Sequence, residues 1–250
     1  MNKLDDLFNL MYNYIPCLIM NTFTYREDKL LTLEIAMHTY IYLLEKVSHH
    51  SQSSPKQLSF NIGHIFKALQ LAKVNGHVSR YLLENKLSLG GGSIKTLIKH
   101  LKTMDLIKTS NAGTILTQKG EKLISQISLQ IPKETVLPES SITVGKFNYV
   151  VLVKDIANSI HSGIEQRDVA IKSGAAGATT LIFIENRFLI PGTNYNALEN
   201  ELNIHKILVE NLQPEDNDVL IIGSDNISKQ NAELAAKHAA LFTIRNHLTH

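Results

Sequence analysis

One cysteine, no long apolar run and almost no net charge mark this sequence of 250 residues. The lone Cys17 excludes a disulfide within the chain and leaves no cysteine cluster for zinc, which makes a reducing cytoplasm the expected location. No stretch approaches the roughly 18 uninterrupted apolar residues of a membrane-spanning helix, so no membrane partner is expected. At the start, Asp5, Asp6, Asn9, Asn13 and Pro16 interrupt the apolar patches. That pattern argues against a secretory signal.

What is present is an ordinary globular composition, 44 % hydrophobic and 19 % charged, in a chain long enough for two domains. The formal charge of +2 hides an uneven distribution. Residues 61–130 hold ten Lys or Arg against Glu84, Asp105 and Glu121, a local balance of +7, so the remainder is −5. A basic block inside an acidic chain suggests a polyanion-binding module joined to something else, or a plain solvated lysine face.

Residues 29–47 read as a mostly buried helix, and "SHHSQSSPKQ" after it as a linker, so 1–58 form an N-terminal helical extension. From Phe60 the apolar spacing gives a helix ending at Asn75-Gly76, then a short second helix closed by "KLSLGGG". Ile94, Leu97, Ile98, Leu101 and Met104 make the stripe of a third, amphipathic helix, with Ser93 as its N-cap. Two β-prone runs joined by Asn111-Ala112-Gly113 predict a hairpin, and Thr117 caps a fourth helix. Three helices, a hairpin and a closing helix over 59–130 have the order of a winged helix-turn-helix domain.

Residues 131–146 contain two prolines and several small polar residues, and are read as the linker to a domain at 147–250. There the order β-α-β-β-α-β-α predicts an α+β domain, with helices packed on one face of a mostly antiparallel sheet. The whole is an α+β multidomain protein.

The stretch "LSLGGGSIKT" is a near miss for a phosphate-binding loop. Such a loop follows a strand and places glycine directly before its lysine, whereas Ile94 precedes Lys95 here and belongs to the apolar stripe. The glycines are therefore read as the open turn before the third helix. Opposite its stripe, Ser93, Lys95, Thr96, Lys99, His100 and Lys102 are candidate contacts to double-stranded DNA, joined by Lys108 and Asn111 on the hairpin. In the second domain Arg167, Asp168, Lys172, Gly174 and Gly177 are candidates for a small-molecule effector, though an Arg-Asp pair and helix-ending glycines are also ordinary structural features. "IIGSD" resembles a nucleotide-binding turn but lacks G-x-G-x-x-G. Eleven histidines share no ligand spacing with acids or cysteine, so neither metal nor cofactor is expected, and no catalytic group is assigned.

"LSLGGGSIKTLIKHLKTMDLIKTSNAGTILTQKGEKL" and "IEQRDVAIKSGAAGATTLIFIENRFLIPG" resemble the two signature blocks of an uncharacterised archaeal family. That family pairs an N-terminal winged helix with a small C-terminal α+β domain similar to the GAD-type domains of some aminoacyl-tRNA synthetases. The similarity runs from Ser59 to Leu248 and leaves the first 58 residues unmatched. It implies a DNA-binding transcriptional regulator whose C-terminal domain dimerises or senses an effector, with a homodimer expected. The alternative is a nucleotide- or metabolite-binding protein or enzyme that uses its winged helix for protein contacts.

Overall fold

The computed structural model describes residues 37, 39–48 and 58–247. Cys17, the beginning of the helix expected over 29–47 and the serine-rich stretch 49–57 lie outside them. A helix α1 covers 39–48 and buries Ile41, Leu43, Leu44 and Val47. Three helices follow: α2 (Ile62–Asn75), α3 (Arg80–Leu87) and α4 (Gly91–Thr103). The hairpin β1 (Ile107–Ser110) and β2 (Gly113–Leu116) comes next, then α5 (Gln118–Gln130). These elements have the expected order and nearly the expected limits. Three of these starts have a local cause: Asn61 accepts from the His64 amide, Ser79 from Leu82 and Thr117 from Gly120. Val78, between α2 and α3, exchanges backbone hydrogen bonds of 2.8 and 2.9 Å with Thr114, which ties the hairpin to the helices.

The second half is a five-stranded sheet of order β3-β4-β7-β5-β6, antiparallel throughout. Its strands are β3 (Glu134–Leu137), β4 (Phe147–Val153), β5 (Gly177–Ile184), β6 (Arg187–Leu189) and β7 (Asp218–Asp225). The stretch expected as a linker therefore carries an edge strand: Pro132 and Pro138 bracket a run short enough to read as loop, yet its backbone pairs with β4. The helices α6 (Ile164–Lys172) and α8 (Lys229–His247) cover one face. The expectation of helices on a single face is corrected by α7 (Leu202–Leu212), whose Ile204, Leu208 and Leu212 pack with Val150, Leu152 and Leu220 on the other. Covered on both sides, β4 and β7 read as continuous apolar runs rather than alternating ones.

The core under α6 and α8 continues without interruption into the core of α1 to α5. Two glycines set this junction. A Cβ on Gly223 of β7 would lie 2.3 Å from the Ala232 carbonyl oxygen, so α8 presses directly onto the strand. A Cβ on Gly63 of α2 would lie 2.8 Å from the Leu234 oxygen and 3.0 Å from the His238 nitrogen, so α2 meets α8 backbone to backbone. Beside that crossing, Lys67 donates to Glu233 at 2.6 Å, and Lys237 donates to Gln70 at 2.6 Å and to Glu134. Lys237 is fully buried and also lies over the rings of Phe66 (5.3 Å) and Tyr149 (5.5 Å). Burial pushes Lys67 below the usual lysine range against the pull of Glu233, and pushes the Tyr149 phenol up.

Candidate nucleic-acid interface

The stripe of α4 folds inward as its spacing requires: Ile94, Leu97, Ile98 and Leu101 are at most 5 % exposed. Burying each contributes about 2 kcal/mol, which fixes the rotation of the helix about its axis. Lys95, Lys99 and Lys102 consequently lie in solvent on the opposite face, and Lys108 on β1 and Asn111 at the hairpin tip are exposed as well. Among the described residues none of these four lysines pairs with a carboxylate. Lys95 and Lys99 stand i, i+4, and Lys99 and Lys102 stand i, i+3. Like charges so placed destabilise a helix by about 0.2–0.5 kcal/mol per pair.

The start of α4 differs from the expectation. Gly90 is the N-cap, in extended conformation and without a side-chain cap, and α4 begins at Gly91, so Ser93 lies inside the helix instead of capping it. The left-handed residue of the turn is Ser88 (φ 53°, ψ 39°), not a glycine. Nothing lies within 4 Å of a Cβ on Gly92, and a Cβ on Gly91 would meet only the Glu84 carboxylate. Glycine costs a helix about 1 kcal/mol per residue relative to alanine. The fold does not require these glycines, and they leave the backbone amides of the first turn open. A phosphate-binding loop is excluded here, because the segment before it is α3 and not a strand.

One of the expected contacts turns away from that face, and two others are engaged within the protein. His100 is buried, with Nδ1 2.9 Å from the Val47 carbonyl of α1 and its ring edge-on to Phe60 at 5.9 Å. It is a packing residue and not an exposed contact. Spacing leaves this flank of α4 in solvent, because it does not place α1 and the segment 58–61 that cover it. Ser93 Oγ lies 2.7 Å from Ser59 Oγ on the same flank, and Thr96 donates to the Gly92 carbonyl at 3.1 Å. Lys67 was likewise part of the basic block, yet its charge is met by Glu233.

The second set of candidates is dispersed. Arg167 pairs with its neighbour Asp168 (Nη2 to Oδ1, 3.0 Å), both about half exposed. Gly174 (φ 87°) ends α6, and Gly177 (φ 155°) begins β5 beside Val144. Only Lys172 of the five lines the cavity described below. "IIGSD" is the end of β7: Ser224 donates to Asn148 at 2.7 Å, and Asp225 accepts from the amides of Ile227 and Ser228 at 2.7 and 2.6 Å. Its role is to start α8. Among the described residues no three His, Cys, Asp or Glu side chains gather as metal ligands, and no helix is long and apolar enough to cross a membrane.

With both halves in place, comparison with known proteins adds one domain and one fold. Residues 144–244 match a domain of unknown function, DUF4443. The matched region takes in β4 through most of α8. A hypothetical protein from the archaeon Pyrococcus horikoshii OT3 has a similar structure, with a TM-score of 0.60 and 24 % identity over 73 % of this chain and 92 % of that one. The likeness concerns the fold. No curated protein matches the sequence.

Proposed function

We propose that residues 59–130 form a winged helix-turn-helix that binds double-stranded DNA, with α4 as the recognition helix and the β1–β2 hairpin as the wing, in a transcriptional regulator. The observation that carries this reading is the face of α4: three lysines without acidic partners among the described residues, behind a glycine-rich first turn without a side-chain cap. Both features weaken the helix, and nothing in the packing requires either. Local choices that oppose the fold mark sites kept for another purpose. Lysines spaced this way suit phosphate oxygens, and open amides at a helix start suit them too. Lys108 and Asn111 extend the same surface along the hairpin. The C-terminal domain supplies dimerisation or effector sensing in this reading, and the protein works in the cytoplasm.

A gel-shift titration of the full chain on sheared genomic duplex tests it. The wild type retards the duplex at low salt and releases it as salt rises. Lys95→Glu, Lys99→Glu and Lys102→Glu together abolish the shift while leaving the circular dichroism spectrum unchanged. Absence of any salt-sensitive shift by the wild type would sink the reading.

A further inference from the structure

A cavity of about 570 Å³ lies where α1, the segment 58–62, the first turn of α2, the end of α6 and the second half of α8 converge. That size falls within the range of small-molecule sites. Phe60 and Phe242 form apolar wall. Arg245 lies over the Phe242 ring at 4.8 Å and is neutralised by Glu45 at 2.6 Å. Lys172, at the end of α6, meets no carboxylate among the described residues, so the lining carries one uncompensated positive charge.

Two histidines on the helices that touch at Gly63 complete the wall. His64 Nδ1 is engaged by Asn61, 3.2 Å from its amide nitrogen and 2.9 Å from its Oδ1, which leaves Nε2 as the ring nitrogen outside that cap. Ser173 donates its hydroxyl hydrogen to the Val169 carbonyl at 2.8 Å and so accepts from His238 Nδ1 at 2.7 Å. That bond leaves His238 Nε2 as an acceptor. Neither Nε2 has a partner among the described residues. Burial holds both histidines well below their ordinary value, at about 4, with Arg245 adding to the effect at His238 and His238 and Lys67 at His64. Both are neutral at physiological pH, so each Nε2 offers a polar but uncharged edge there.

The geometry points to a binding site for a small organic anion that carries a ring: the anion at Lys172, the ring between the Phe60 and Phe242 walls, and polar edge groups at His64 and His238. This site lies apart from Arg167 and Asp168, and it touches α4 through its own wall. Phe60 packs on His100, and Ser59 meets Ser93. Occupancy therefore bears on the flank of α4 directly. That this adjusts DNA binding rests on the reading of α4 given above; the site itself does not.

The test is calorimetry and amide chemical-shift mapping on the full chain, without DNA. The probes are phenyl phosphate, phenylacetate and adenosine monophosphate, with inorganic phosphate as the ringless control. At least one ring-bearing probe is expected to bind with sub-millimolar Kd and inorganic phosphate at least tenfold more weakly. The same probe should shift the amides of Ser93 and His100 on α4. Lys172→Glu, at an exposed position that leaves folding intact, should weaken binding at least tenfold, and Phe60→Leu should diminish the α4 shifts more than the affinity. The proposal is overturned if all three ring-bearing probes fail to bind at 10 mM, if Lys172→Glu binds them as well as the wild type, or if binding leaves the α4 amides unmoved. Because no duplex is present, these results are independent of whether α4 binds DNA.

Discussion

Lysines occupy two kinds of helix face in this protein. Lys67 on α2 and Lys237 on α8 are buried at the crossing of the two halves, each held by a glutamate, and Lys237 also by Gln70 and two aromatic rings. Lys95, Lys99 and Lys102 on α4 are in solvent and meet no carboxylate among the described residues. The buried pair is stabilising only as a completed network, since an ammonium out of water costs several kcal/mol unless its partners are in place. The exposed set repels itself slightly and gains nothing from the fold. One residue type thus does opposite things, joining the halves at one place and standing ready for an outside anion at the other.

Four experiments break or sharpen this contrast. Glu233→Ala removes the acid shared by Lys67 and Lys237, and should destabilise the chain by about 4 kcal/mol in chemical denaturation. It should leave α4 chemistry intact at temperatures where the fold survives. Acid acts next. His64 and His238 have folded values of about 4 against an ordinary 6.5, so the unfolded chain takes up protons that the folded chain refuses. Stability is therefore full above pH 6.5 and falls as pH drops from 6.5 toward 4. The two together should lower it by about 4 kcal/mol between pH 7 and pH 5. His64→Gln with His238→Gln should flatten that slope, although Glu45, Lys172 and Arg245 line the same cavity. Gly63→Ala places a methyl against the backbone of α8 and should cost about 2 kcal/mol, because neither helix can yield without moving the other. Smallest is the effect on folding of charge reversal at Lys95, Lys99 and Lys102: each should change unfolding free energy by less than about 0.5 kcal/mol.

The sequence makes the elements legible where a cause is local. Asn61, Ser79 and Thr117 cap helices by short-range hydrogen bonds, and the α4 stripe follows from 3.6-residue spacing. The same spacing identified Lys95, Lys99 and Lys102 as one exposed face. Spacing alone puts His100 in solvent, whereas the surface that covers it comes from Val47 and Phe60; helical periodicity says nothing about which chain segment packs on a flank. Edge strand β3 is not legible, because the five residues between Pro132 and Pro138 carry too little pattern; its pairing with β4 is long-range. The cavity was hidden most completely. Asn61 and His64 form a local capping box that spacing could have suggested, but Ser173 and His238 join them only through the approach of α2 to α8 at Gly63.

The most direct test of the central claim is the salt dependence of duplex binding, measured by fluorescence anisotropy on one duplex for the full chain and for the Lys95→Glu, Lys99→Glu, Lys102→Glu variant. Each phosphate contact contributes about 0.9 to the slope of log K against log salt concentration. The account predicts a steep negative slope for the wild type and one shallower by roughly 3 for the variant, or no measurable binding. Equal slopes and equal affinities for the two proteins would contradict it.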